Sequence, residues 1–184
     1  MTPEEFERNL IAKANEIKAY AQSKFPSTAG NVALRFINGN FRAGGYQGAT
    51  FAKWKPSKGT TLVKSGALRA ATYYTSQPGQ VTLKNNMPYA KVHNEGFEGS
   101  VSVKAHTRNS YAKTKVGTGK TTKKGKERTK TVTVKTGSKD ISAHTRQMKI
   151  KQRQFMPIKS NDSPILTKAV SRAVANDLKQ LFDK

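Results

Sequence analysis

Cysteine is absent from the 184-residue chain. That excludes a disulfide-stapled scaffold, a thiol nucleophile, cysteine zinc fingers and iron–sulfur clusters. Carboxylates are scarce: 11 Asp and Glu stand against 34 Lys and Arg, a net charge of +23. They are thinly scattered, with no pair of the kind that glycoside or phosphoryl chemistry uses. No apolar run approaches the length that spans a bilayer. The opening residues, Met1-Thr2-Pro3-Glu4-Glu5, are acidic and helix-starting, without a basic stretch followed by an apolar one. No secretory leader is expected, and the product is expected to be a soluble protein of a reducing cytoplasm or of an assembly made there. One Trp, eight Phe, six Tyr and an apolar fraction of 35% suffice for one modest core in a single domain.

The positive charge is uneven. Residues 100–153 hold 16 Lys or Arg against Glu127 and Asp140. Within them, 113–130 is extreme, with Lys113, Lys115, Lys120, Lys123, Lys124, Lys126, Arg128 and Lys130 set among Thr and Gly. So little apolar area cannot offset the entropy of ordering. The segment is expected to be a mobile loop when free, ordering on a polyanion or an acidic protein face. Such a concentration of charge exceeds what solubility requires. A solvated surface loop is the plainer alternative.

Thr2, Pro3 and Glu5 form a capping box, and Phe6, Leu10, Ala14, Ile17 and Ala21 follow as an apolar stripe. A first helix is expected over 3–24, stopping before Pro26. Ser27 would cap a second, carrying Val32, Phe36 and Ile37, which gives way to a Gly-rich irregular loop over 39–60. A Trp in such a loop, Trp54, is expected to plug the edge of the core. Residues 62–68 suggest a short turn or helix around Ser65-Gly66. Residues 70–76 and 81–85 alternate as two strands about a turn at Gln77-Pro78-Gly79-Gln80. Tyr89 to His93 reads as one helical turn stopped by Gly96. Strands are expected at 101–103 and 131–134, with a weaker one over 141–150. Pro164 opens a last helix, capped by Asp162 or Ser163, whose apolar face includes Leu166, Val170, Val174 and Leu178. The order argues for an α+β fold: an antiparallel β-sheet with N- and C-terminal helices packed on one face.

Ala105-His106-Thr107-Arg108 recurs as Ala143-His144-Thr145-Arg146. The match is too short for a solenoid repeat. The simpler geometry puts the copies on opposite arms of a long basic β-hairpin, facing each other near its base, with the Lys-rich segment at the tip.

Chemistry is thin. Gly117-Thr118-Gly119-Lys120-Thr121 suggests a phosphate loop, but Thr114 stands where the first glycine belongs, and neither a buried strand nor a helix start flanks it. His106 and His144, without cysteine or close carboxylates, make a poor metal site. His93 and Glu95 lie two residues apart, on different sides of a helix. Asn161-Asp162-Ser163 matches a glycosylation sequon without a secretory context. The sequence does not read as an enzyme, and no cofactor or metal is expected. Non-specific nucleic-acid binding through salt-sensitive phosphate contacts remains an alternative. No recognition motif accompanies it, and aromatic interleaving in 100–153 is limited to Tyr111.

Three blocks stand in order: Trp54-Lys55-Pro56 with Leu62-Val63-Lys64-Ser65-Gly66-Ala67-Leu68-Arg69; Met87-Pro88-Tyr89-Ala90-Lys91-Val92-His93-Asn94-Glu95-Gly96; and Arg153-Gln154-Phe155-Met156-Pro157 before the last helix. Together they resemble the virion-morphogenesis family of Mu-like tailed phages, the tail-completion or neck proteins. In that family a W-x-P loop leads to a (T/S)-G-x-L element, a Y-A-x-x-H-x-x-G turn and an R-x-F-(L/M) segment. The basic insertion at about 107–142, within a single domain over 1–184, departs from the usual pattern, as does Lys151-Gln152 where relatives often carry proline.

The resemblance implies a structural virion protein at the head–tail junction, assembled in the host cytoplasm. It implies a homo-oligomeric ring of six, meeting the head–tail connector and the tail terminator or tail tube, with DNA passing through and no membrane involved. On that reading Gly66 and Gly96 mark sharp turns, Leu68, Tyr89, Ala90 and Phe155 fill the core, and Trp54 and Arg153 belong to the same framework. His93 would be a hydrogen-bonded structural residue. The basic tip would meet an acidic protein partner rather than the genome, because fixed lysines lining a lumen would grip passing phosphates.

Overall fold

The computed structural model describes residues 2–56, 61–123, 125–159 and 162–183. The fold class is the expected α+β, with antiparallel strands between N- and C-terminal helices. It divides into two compact units, residues 1–97 with 149–184 and residues 98–148.

In the first unit, α1 (Pro3–Ala19) opens on the expected capping box, Thr2 Oγ1 accepting from Glu5 N–H and the Glu5 carboxylate from Thr2 N–H. The helix does not stop before Pro26. One π-helical turn (Tyr20–Lys24) joins it directly to α2 (Phe25–Ala43). Phe25 N–H reaches back to Tyr20 O, and this widened turn sets Pro26 in the first turn of α2, where its missing N–H leaves no bond broken. The loop expected over 39–60 begins later, because Gly39 stays helical and Gly44 ends α2 in the left-handed conformation at φ 66°; its residues 57–60 lie outside the described residues. A small hairpin of β1 (Gly45–Gln47) and β2 (Phe51–Lys53) follows.

α3 (Ala67–Ala70) starts from Gly66 at φ 72°. The hairpin of β3 (Thr72–Gln77) and β4 (Gln80–Asn85) turns at Pro78-Gly79, as the sequence suggests. α4 (Ala90–Glu95) ends at Gly96. α5 (Pro164–Phe182) is capped by Ser163, whose Oγ accepts from Leu166 N–H and donates to Gln47 O. α2 is the central helix. It packs on β3 and β4 and receives α5, burying Ala29, Gly30, Ala33, Ile37, Asn40 and Phe41. The core gathers Ile37, Phe41, Trp54, Leu68, Ala90 and Phe155. The apolar stripe of α1 stays outside it: Phe6 is 58% exposed and Leu10 59%.

The second unit is a ribbon. β5 (Phe97–Val103) pairs with β8 (His144–Ile150), and β6 (His106–Thr121) pairs antiparallel with β7 (Glu127–Ile141). Among the described residues the strands form four two-stranded sheets. The hairpin was legible from the sequence; the mobile Lys-rich loop is corrected to extended strand as far as Thr121 on one arm and from Glu127 on the other. Threonine and valine interleave the lysines and favour the extended backbone. The register also keeps cations apart. Lys113 faces Thr133, Lys115 faces Thr131, and Lys130 faces Val116, so like charges do not stand opposite there. Arg108 does face Lys139, next to the Thr107–Asp140 pair, whose side chains are hydrogen-bonded at 2.7 Å.

The two Ala-His-Thr-Arg copies lie on opposite arms but are offset. His106 is opposite Ile141, and His144 opens β8. Each copy begins the strand after a break, with His106 Nδ1 2.9 Å from Lys104 O and His144 Nδ1 3.0 Å from Ser142 O. The repeat therefore marks two equivalent corners.

A Cβ on Gly30 would lie 2.6 Å from the Tyr74 ring, where α2 meets β3. Gly30→Ala is expected to destabilise the fold by about 1–3 kcal/mol, read as a lower denaturation midpoint. Gly39→Ala meets only Gln47 Nε2, at 3.6 Å, and should leave the midpoint unchanged or raise it.

Candidate functional site

Two regions carry the residues singled out by sequence. The first is a buried polar clasp. Residues 152–156 run as an irregular strap after β8 and have no sheet partner to satisfy their backbone. Side chains from three distant elements do so instead. Asn94, at the end of α4, accepts from Phe155 N–H and Met156 N–H, both at 2.8 Å, through one oxygen. Asn40 of α2 donates to Phe155 O at 3.1 Å and accepts from Gln47 N–H. Trp54 Nε1 donates to Gln154 O at 2.7 Å. Arg153 N–H bonds His93 O at 2.8 Å, and its guanidinium Nε donates to Lys55 O at 3.0 Å.

Phe155, so held, is fully buried, its ring 5.1 Å from that of Phe41, which in turn meets Trp54 edge-on at 5.6 Å. Gly96 closes the clasp for two reasons: its φ is 80°, and a Cβ there would press on Gln152 at 3.2–3.3 Å. Trp54, Leu68, Ala90 and Phe155 thus take the core positions expected of them. Tyr89 does not: it is 42% exposed and lies edge-on to His93. Its place at the start of α4 turns the ring outward, and the core position goes to Ala90.

His93 also differs from expectation. Its backbone carbonyl is bonded, but the ring Nδ1 is buried with no hydrogen-bond partner. Burial, with the Arg153 charge beside it, holds the imidazole below its ordinary pKa. Asn94 and Asn40 went unassigned in the sequence, where a lone asparagine reads as a turn or helix-end residue. Asp177 escaped notice too. Its carboxylate accepts from Thr28 Oγ1 at 2.8 Å and Tyr20 OH at 3.1 Å, tying α5 to the π-helical turn, and these bonds hold its pKa down.

The second region is the ribbon. Beyond a bulge at Ser110/Tyr111 the register runs unbroken to Gly117↔Thr129, and side chains alternate between its faces. Tyr111, Lys113, Lys115, Thr131, Thr133 and Lys135 share one face. Ala112, Val116, Val132 and Val134 share the other with Thr114 and Lys130, and Val116 and Val134 are 43% and 47% exposed. The basic residues therefore do not converge on one surface. Lys113 and Lys115 stand on the polar face, Lys130 stands on the apolar one, and Lys120, Lys123, Lys126 and Arg128 cluster toward the tip. Lys124 lies outside the described residues. A shallow recess of about 370 Å³ beside the clasp carries Lys84, Lys91 and Lys159 with one carboxylate, Glu95. Among the described residues no three His, Asp or Glu gather as a metal site, and no helix is long and apolar enough to cross a membrane.

The chain matches no family model, no curated protein and no solved structure.

Two outcomes are expected at the clasp. Asn94→Ala strands two buried N–H groups and should cost about 2–5 kcal/mol, whereas Glu95→Ala, on the exposed side of α4, should stay within about 0.5 kcal/mol; urea denaturation compares them. The His93 contribution should be present in full above the unfolded-state pKa of about 6.5. It should be lost as pH falls from there toward the depressed folded value, since the unfolded chain takes up a proton that the native one resists. His93→Phe should flatten that part of the stability–pH curve.

Proposed function

We propose that this protein is a structural component of the head–tail junction of a tailed phage, of the tail-completion or neck kind. In this reading copies form a ring that joins the tail to the head connector and lets DNA pass, and the protein acts by contact rather than by turnover. The observation that carries it is the clasp. The blocks at 54–56 with 62–69, 87–96 and 153–157 carry the resemblance to that family, and residues of all three blocks meet through Trp54–Gln154, His93–Arg153 and Asn94–Phe155. A resemblance made of unrelated coincidences would give no reason for its blocks to touch.

The ribbon supports a protein partner over nucleic acid. Phosphates would be met by the cationic residues alone. An apolar strip of Ala112, Val116, Val132 and Val134 has no use against a phosphate backbone, but it suits the core of a protein interface ringed by charge. Its partner is proposed to be an acidic connector or tail-terminator surface. The alternative reading, sequence-blind nucleic-acid binding, rests on the cationic tip.

Replacing residues 113–130 with a two-residue turn tests the assignment. The expected outcome is an unchanged melting transition for the first unit and head–tail joining reduced at least about tenfold in an in vitro complementation assay, or about 1.4 kcal/mol of docking free energy. Full joining by the shortened chain would remove the ribbon's proposed role. Mature particles without this polypeptide at the junction would remove the reading altogether.

A further inference from the structure

The clasp and the ribbon leave one conspicuous feature unused. α1 buries none of its residues. Phe6, Leu10 and Ile17 lie on one stripe of it with Lys13, and Lys13 Nζ donates to Leu181 O at 2.8 Å. α1 therefore leans on the end of α5 about Lys13, while its first two turns carry Phe6 and Leu10 with more than half of each side chain in water. Those turns also hold Glu4, Glu5 and Glu7, three of the chain's 11 carboxylates. Glu5 is taken up by the cap; Glu4 and Glu7 form no ion pair among the described residues.

The same unit offers a matching surface. A recess of about 570 Å³ is lined by Gly44, Lys53, Trp54, Lys55, Pro56 and Thr61. Its wall is mainly apolar; among the described residues its charged side chains are two lysines, both exposed. Arg153, bonded to Lys55 O, adds a third cation nearby.

We infer that the first two turns of α1 seat on a second copy of this chain, with Phe6 entering the recess beside Trp54 and Pro56, and Glu7, one step round the helix from Phe6, facing Lys53 and Lys55. Charge selects this occupant. Copies of a chain at +23 repel one another, and contact is favourable only where the few carboxylates meet cations. The opening of α1 is where the carboxylates are densest, and the recess rim is basic. Helix and recess lie on different elements, so the contact can run head to tail from copy to copy. Each copy then gives a helix to one neighbour and takes one from the other, which is what a closed ring needs. The inference rests on the proposed ring for closure alone; the pairwise contact stands without it.

The absence of cysteine makes the test direct. Chains carrying Glu7→Cys are mixed with chains carrying Lys55→Cys and oxidised. The expected product is a mixed disulfide dimer that exceeds either like-with-like dimer about tenfold. Lys53→Glu with Lys55→Glu should reduce association of the otherwise native chain about tenfold by light scattering, and adding Glu7→Lys to the same chain should restore part of it. All of these residues are exposed, and circular dichroism checks that each variant folds. Like-with-like Glu7→Cys dimers alone would overturn the proposal in favour of symmetric helix pairing. So would the absence of any mixed disulfide, or charge reversal that neither weakens nor restores association. A mixed disulfide from a protein that never closes a ring would uphold the contact and count against the neck reading.

Discussion

The fold depends on how residues 152–156 are anchored. This strap leaves the ribbon and crosses the core without a strand beside it, so its backbone groups would be buried and unpaired if side chains did not reach them. Asn94, Asn40 and Trp54 each satisfy one or two, and they come from α4, α2 and the segment after β2. Buried backbone polar groups are costly when orphaned. These few bonds therefore position Phe155, and Phe155 positions the rings of Phe41 and Trp54 around it. The apolar core is small, and its geometry is specified by polar groups at its centre.

That arrangement explains which parts of the molecule were legible in the sequence. Local signals held where a local cause was sufficient. The Thr2–Glu5 box, the Pro78-Gly79 turn, Gly66 and Gly96 at positive φ and the Ser163 cap each follow from a few adjacent residues. Leu68, Ala90, Phe155 and Trp54 were recognisable as core. The break before Pro26 failed because a π-helical turn, which no sequence pattern announces, moved the proline into a tolerated position. The asparagines of the clasp were hidden because their partners lie 61, 62 and 115 residues away. Of the two adjacent residues expected inside, Ala90 is buried and Tyr89 is not.

The Lys-rich segment failed for a different reason. Its charge argues against order, and that argument treats cations as if they were crowded together. In the observed register they are spread: tyrosine, threonine or valine faces the paired lysines beyond the bulge, and the backbone ladder supplies the cohesion. Repulsion between exposed ammonium groups in water is weak at such spacings and is screened further by salt. A long cationic ribbon is therefore compatible with an extended structure, provided that β-branched residues fill the intervening positions.

The distribution of apolar surface bears on the kind of work the protein does. A chain with a lean core would be expected to spend its aromatic and aliphatic residues inside. Phe6, Leu10, Phe51, Val116, Val134 and Phe182 instead face water, on α1, β2, the ribbon and the end of α5. Scattered exposed residues are ordinary. Here they recur on one stripe of α1 and on one face of the ribbon, each beside charge. Such surfaces are unfavourable on an isolated chain and favourable once covered, so in the proposed reading association would recover free energy that the lean core does not supply. The proposed roles of the ribbon and of α1 both follow from that balance: one surface meets a different protein, the other a second copy, and each joins an apolar strip to charge that discriminates between partners.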